Sequence, residues 1–498
     1  MRKLLLALLT VLVAAVPALA QEGPLEVAVD QAPVGLDPHL VTAFSSFVVI
    51  QNIYDGLVEF DADLQVQPAL ATSWEISDDG LTYDLQLRDD VVFHNGRPMT
   101  AEDVVYSFER IMAEETGSPQ ASRFAQVTGA EATGEHAVRF TLEAPFAPFL
   151  GNLSRLAVVP REVVEAEGDL QRVAVGTGAF MLDEVVPDTY VRLVANPDYY
   201  REGQPVMEAV RFNVVPEAST RAAGLRTGSY HLLPDVDPAT AETLQNVSGV
   251  ELMEVQDLAY SLLGMNVERE PFDDPRVRRA INLAIDRGEI VTAVYFDNAV
   301  PGGPLSPGLD QWALSTSEFP CYQHDPARAQ ELLAEAGYGD GFELEILTFG
   351  TIRVVSDLAQ VLQAQLTEVG IDTTVNVAEF GTFVQDWRNS DFQAFVSLNG
   401  GNADPDGYLF RTFHSTGATN VFQYANEQVD ALLERGRTTA DDAARYATYA
   451  ELQRSLACTG PVAHVAYATL FSGVRENVEG FQQMPDRHMR YLRETSLE

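Results

Sequence analysis

The chain has 498 residues and a formal net charge of −41, from 73 acidic against 32 basic side chains. That excess of negative charge argues against nucleic acid or an anionic membrane surface as a partner. With 46% hydrophobic residues it is not a disordered acidic chain, and its length exceeds a single core, so two or three domains are expected.

Residues 1–20 begin with the basic pair Arg2 and Lys3, continue through an apolar stretch from Leu4 to Val16, and end on Ala18-Leu19-Ala20. This is the pattern of a secretory signal peptide cleaved after Ala20, and the short apolar stretch argues against a membrane anchor. The residue directly after the cleavage point is Gln21 and not a cysteine, which argues against a lipid-anchored form. Removal of Arg2 and Lys3 takes the net charge from −41 to −43, and Lys3 is the only lysine, so every remaining cation except histidine is arginine. The acidity reads as a solvated skin suited to a saline habitat, with attraction of cationic ligands as the functional alternative.

Beyond the signal peptide, strand and helix patterns alternate. Leu25 to Asp30 alternates like a strand, Ala43 to Phe60 reads as a helix passing into a strand, and Thr82 to Arg88 alternates again. Thr100 suits an N-cap for a helix whose apolar stripe is Val104, Val105, Phe108, Ile111 and Met112. Asp274-Pro275 and Asp325-Pro326 each open a further helix, the second closing on Gly337. Asp357 to Gly370 is another amphipathic helix, followed by a strand-like run from Ile371 to Val377. This alternation predicts α/β domains, with no internal repeat and no long linker.

The stretch GGNADPDGY, Gly400 to Tyr408, follows an apolar run and holds two aspartates around a proline. Four readings stand open: a metal loop, a catalytic carboxylate pair, the floor of a binding pocket, or a turn. Asp404 and Asp406 lack the later ligands and closing Glu of a calcium loop, and no nucleophile accompanies them. The eight histidines are scattered, none in an HExxH pair, and there is no G-x-S-x-G elbow, P-loop or dinucleotide fingerprint. The glycine-rich GTGAF, Gly176 to Phe180, lacks phosphate-loop spacing. Cys321 and Cys458 have no metal-ligand cluster near them. An exported chain meets an oxidising compartment, so a disulfide and two free thiols both remain open.

Four stretches in order along the chain resemble a known family. They are Gly35 to Asp61, Leu70 to Ile111 (LATSWEISDDGLTYDLQLRDDVVFHNGRPMTAEDVVYSFERI), Gly176 to Val215, and Met265 to Val291 followed by the run from Asp325. Together they are similar to the peptide/nickel/oligopeptide family 5 of extracellular solute-binding proteins, which serve ABC importers. The resemblance implies an α/β, two-lobed periplasmic binding protein fold (type II, cluster C) with a subdomain inserted in lobe I. Mapped here, lobe I is 22–57, 178–262 and 475–498, the inserted subdomain is 58–177, and lobe II is 263–474. Both cysteines then fall in lobe II, which favours the disulfide Cys321–Cys458.

The function implied is capture of a peptide or peptide-like solute in an interlobe cleft in the periplasm. The closed form would be delivered to membrane permease subunits, with ATPase subunits acting indirectly. The protein would act as a monomer, without a cofactor, and would not be an enzyme. A non-peptide solute (an opine, a glycoside or a metal chelate) is the alternative, and a secreted hydrolase the remote one.

In peptide-binding relatives the segment after L-D-P-H faces the ligand, here including Thr42, Phe44 and Ser45. So does the strand end before a D-P pair, here Leu398, Asn399, Gly400, Gly401, Asn402 and Asp404. Those relatives often carry a Trp seven residues before that proline and, four before it, an Asp that takes the peptide's amino terminus. Here the positions hold Leu398 and Gly401. A buried ammonium left without a counter-charge is costly, so Asp404 or Asp406 would have to substitute, or the ligand lacks that group. Arg353 lies in the region where relatives place carboxylate-binding arginines.

Overall fold

The structure is a computed structural model that describes residues 23–41 and 43–498. The expected signal peptide, residues 1–20, and Thr42 lie outside the described residues.

Among the described residues eleven strands form one sheet whose two ends are built alike. At one end Leu25–Val29 lies parallel to Ala209–Val214 and Leu232–Val236, and the antiparallel strands Tyr190–Ala195 and Phe180–Val186 extend that edge. At the other end Glu343–Phe349 lies parallel to Asp372–Ala378 and Ala394–Asn399. Between them run two long antiparallel strands, Val250–Met265 and Val462–Arg475, paired from Val250 opposite Arg475 to Gly264 opposite Val462. The apolar run Ala394-Phe395-Val396 is fully buried, as expected of a strand flanked by helices on a parallel sheet.

The helices start where their caps place them. Asp274 accepts the Arg276 N–H at 2.8 Å and opens Pro275–Ala284; Asp325 accepts the Arg328 N–H at 2.9 Å and opens Pro326–Glu335. In both, proline occupies the first turn, where no backbone donor is needed. Gly337 follows the second helix with φ +98, a left-handed position that favours glycine. The helix Ala101–Met112 buries Val104, Phe108 and Ile111.

Two large apolar cores result. One runs from Leu258 through Tyr467, joined by Leu64 and Met484, and corresponds to the expected lobe II; the other joins Leu25 and Phe212 to Val474 and Leu492 and corresponds to the expected lobe I. The four-stranded antiparallel sheet Ala71–Ile76, Thr82–Leu87, Ala137–Leu142, Val127–Gly134 lies within the expected insertion. Its Leu85, Val138 and Phe140 belong to the lobe I core, so the insertion shares that core instead of building its own.

The chain passes between the cores along the two long strands. Met253 packs with lobe I and Leu258 with lobe II; on the return strand Tyr467 packs with lobe II and Val474 with lobe I. Side chains therefore change core before the expected boundaries at 262/263 and 474/475. A continuous strand has no turn residue to mark such a point. Within lobe II, Cys321 and Cys458 are joined by a disulfide with a Cα–Cα distance of 5.6 Å. Across the lobes, the Ala147 N–H donates to the Arg437 carbonyl at 2.8 Å.

Candidate functional site

A cleft of about 650 Å3 opens between the cores and takes its lining from both. Its floor is Asp257, Leu258 and Ala259 on the first long strand, where pairing with the second slips between Gln256 and Tyr260. Such a bulge releases residues from the ladder and re-aims them. Asp257 is held by the Ala259 N–H at 3.0 Å and by Arg487 at 2.8 Å, and the Leu258 carbonyl accepts the Tyr408 hydroxyl.

The lobe I wall presents Phe44, Phe60, Trp74, Arg123 and Arg155. The two arginines lie on the single turns Ala121–Phe124 and Leu153–Arg155, tied together where the Asn152 Nδ2 donates to the Arg123 carbonyl at 3.0 Å. Arg123 Nε donates to Gln120 Oε1 at 2.9 Å, and the Arg155 guanidinium lies 5.4 Å from the Phe47 ring. Among the described residues neither has a carboxylate partner. Burial, with the charges of Arg155 and Arg411 added, pushes Arg123 down to about 10, so it remains a cation at neutral pH.

The lobe II wall presents Trp312, the loop Gly400 to Asp404, Asp442 and Arg445. Asp404 caps the helix Pro405–Phe413 by accepting the Asp406 N–H at 2.8 Å, and holds Arg445 through both oxygens at 2.6 and 2.8 Å. Asp406 is buried and holds Arg437 through both oxygens at 2.9 and 3.1 Å. Arg437 in turn stacks 3.3 Å over Phe410 and reaches the Phe146 ring of lobe I at 5.2 Å. Both aspartates of the loop are therefore committed to arginines and neither is a free counter-ion for an ammonium group.

The residues expected from sequence divide into groups. Phe44, Gly400, Gly401, Asn402 and Asp404 line the cleft together. Ser45 lines a separate small pocket with Asp30 and Asp235. Leu398, 40% exposed, is outside the lining, as is Asn399, whose Nδ2 donates to the Tyr260 hydroxyl at 2.7 Å and whose Oδ1 accepts from Arg411 at 3.3 Å. Arg353 also stays out of the cleft: it begins the helix Arg353–Glu368, its side chain is 87% exposed, and it pairs with Asp357 at 3.1 Å. His414 stacks on Phe410 at 4.2 Å and sits 3.2 Å from Glu434; no cluster of metal-ligating side chains is found among the described residues.

Gly401 explains one departure from the expected pattern. A Cβ there would lie 2.3 Å from the Leu258 backbone, so no aspartate fits at this position without moving the cleft floor. Trp74, Trp312, Arg123 and Arg155 were not expected from sequence. The only signal available was the rarity of tryptophan, three in the whole chain.

Residues 65–420 match the family model described as bacterial extracellular solute-binding proteins, family 5 middle. The probable di/tripeptide-binding protein 5 of Pseudomonas aeruginosa is 30% identical, covering 94% of this chain and 94% of that protein. The heme-binding protein A of Haemophilus influenzae is 29% identical over 91% of this chain and 89% of its own. Among solved structures, the periplasmic binding protein DppA of Helicobacter pylori in complex with the peptide STSA superposes with a TM-score of 0.80 at 29% identity, covering 96% of this chain and 98% of that one. The chain belongs to family 5 of the bacterial extracellular solute-binding proteins.

Proposed function

We propose that this chain captures a peptide or peptide-like solute between its lobes in the periplasm and delivers it to the permease of an ABC importer. It performs no chemistry on the solute and works as a monomer. The observation that carries this reading is the cleft of about 650 Å3 lined by both cores, with the chain passing between them along two strands. A ligand that touches both walls stabilises the closed arrangement only by as much as it prefers that arrangement. Trp74 and Trp312 supply apolar area on opposite walls, and the glycine-rich loop leaves backbone groups open to an extended chain. The DppA relative holding a peptide supports the same reading.

A second reading, a solute without a free amino terminus such as an opine, a glycoside or a metal chelate, is favoured by one feature. Position 401 has no room for an aspartate, and Asp404 and Asp406 are bound to arginines. Calorimetry with di-, tri- and oligopeptides separates the two. Micromolar or tighter binding of peptides with free amino termini is expected. Binding only of amino-blocked or non-peptide solutes recovered from native periplasm would replace the first reading by the second.

A further inference from the structure

The cleft lacks the acidic excess of the molecule around it. Four arginines and four aspartates line it, in a chain with 73 acidic and 32 basic residues. Asp257 and Asp404 are neutralised by Arg487 and Arg445, and Asp486 lies 3.7 Å from Arg490 outside the cleft. That leaves Arg123 and Arg155 against the single carboxylate Asp442.

A third cation stands on the opposite lobe. Arg411 is exposed on the helix Pro405–Phe413, outside the cleft lining, and among the described residues donates only to Asn399, beside Gly400 of the cleft loop. It is close enough to Arg123 for its charge to be felt there. Arg123 and Arg155 in the cleft and Arg411 beside its loop are thus cations of opposite lobes, and among the described residues none of the three has a carboxylate partner. Like charges brought together by closure repel, and the repulsion is relieved when an anion enters between them.

We infer that the solute is net anionic, carrying a carboxylate that Arg123 and Arg155 hold on lobe I and that Arg411 meets from lobe II. This rests on the peptide-like reading above and narrows it to acidic peptides. A guanidinium fork matches a carboxylate in two parallel hydrogen bonds, and such charge-assisted bonds are about twice as strong as neutral ones. Arg123, held by Gln120, and Arg155, lying over the Phe47 ring, are already partly placed and need less further ordering to make them.

The test compares peptides of equal length that differ only in charge, Glu-Glu against Gln-Gln and Ala-Glu-Glu against Ala-Gln-Gln, by titration calorimetry at low and physiological salt. The acidic member is expected to bind at least about tenfold tighter, a difference of about 1.4 kcal/mol. In Arg123→Gln and Arg155→Gln that ratio falls toward one, and in Arg411→Gln it falls in part, with melting temperatures within a few degrees of wild type. The ratio is the reading that a merely structural role would not move, and either lobe I variant suffices if the other fails to fold. Equal affinity for acidic and amide peptides overturns the inference while leaving peptide capture intact. If no peptide binds, glutarate and inorganic phosphate replace them. Their binding, lost in Arg123→Gln, sustains the anionic site though the peptide reading has failed, and no binding of either anion overturns it.

Discussion

The two walls of the cleft handle charge in opposite ways. On lobe II the aspartates of the Gly400–Asp406 segment are each locked to an arginine by two bonds, Asp404 to Arg445 and Asp406 to Arg437. On lobe I, Arg123 and Arg155 reach the same cleft with hydrogen bonds and ring contacts but, among the described residues, no carboxylate. A charge already paired within its own wall fixes shape and offers a ligand little. A charge left open can pair only with what enters. The lobe II wall is therefore built to hold the loop in position, and the lobe I wall to read the solute. The difference also separates the cleft from the skin: the acidic surface says nothing about the sign of the site.

The largest expected effect comes from unlocking lobe II. Asp406 is 6% exposed and its partner Arg437 also bridges to Ala147 and Phe146 of the other lobe. Asp406→Ala leaves a partly buried guanidinium unpaired, which costs about 3–5 kcal/mol in such settings. Chemical denaturation is expected to show a loss of that size. Asp404→Ala follows the same logic, since Asp404 caps a helix and holds Arg445. A variant of either aspartate with unchanged stability but lost solute binding would reverse the division of labour between the walls.

A comparable effect, spread over both lobes, appears in acid. Burial pushes His39 and His94 in lobe I down to about 4, and His464 in lobe II down to about 3. His39 is fixed as the neutral tautomer, because Arg110 donates to its Nδ1 at 2.9 Å and its Nε2 faces the Ala157 carbonyl at 2.8 Å. His464 lies among rings, 5.0 Å from Tyr260 and 6.0 Å from Phe413, with no hydrogen-bond partner for either nitrogen among the described residues. In each case the unfolded chain takes up a proton near pH 6.5 while the folded chain does not until about pH 4 or below. Stability is thus complete above pH 6.5 and falls as pH drops toward 4, by on the order of 1 kcal/mol per pH unit for each histidine. Unfolding free energies measured at pH 7.5, 6 and 5 are expected to decline in that order. A flat profile would show that these rings are not sealed from solvent in either lobe.

How much of this the sequence could say depends on the range of the cause. Asp274-Pro275 and Asp325-Pro326 are read correctly as helix starts because a cap and its helix are neighbours in the chain. Asp404-Pro405 carries the same signal and opens the same kind of helix, but its aspartates also suggest a metal or catalytic loop, and that competing reading obscures the cap. The family resemblance places Gly400 to Asp404 by sequence order, and the structure shows why position 401 is glycine: the Leu258 backbone occupies the space. Arg123 and Arg155 had no local signal. They sit on separate short turns and meet through one bond from Asn152 and a shared cleft, a relation that only the fold creates.

Arg353 marks the smallest effect and the clearest control for the contrast between the walls. Sequence order places it in the region where relatives put carboxylate-binding arginines, yet here its side chain is 87% exposed and its partner is Asp357, one helical turn on. Exposed pairs of this kind contribute within about 0.5 kcal/mol. Arg353→Gln is therefore expected to leave both melting temperature and solute affinity unchanged, while Arg155→Gln lowers affinity for acidic peptides. Calorimetry on the two variants side by side isolates position from charge, since each removes one arginine. A tenfold loss of affinity in Arg353→Gln would mean that the start of the helix Arg353–Glu368 swings into the cleft when solute binds, and lobe II would then bring a second open cation besides Arg411.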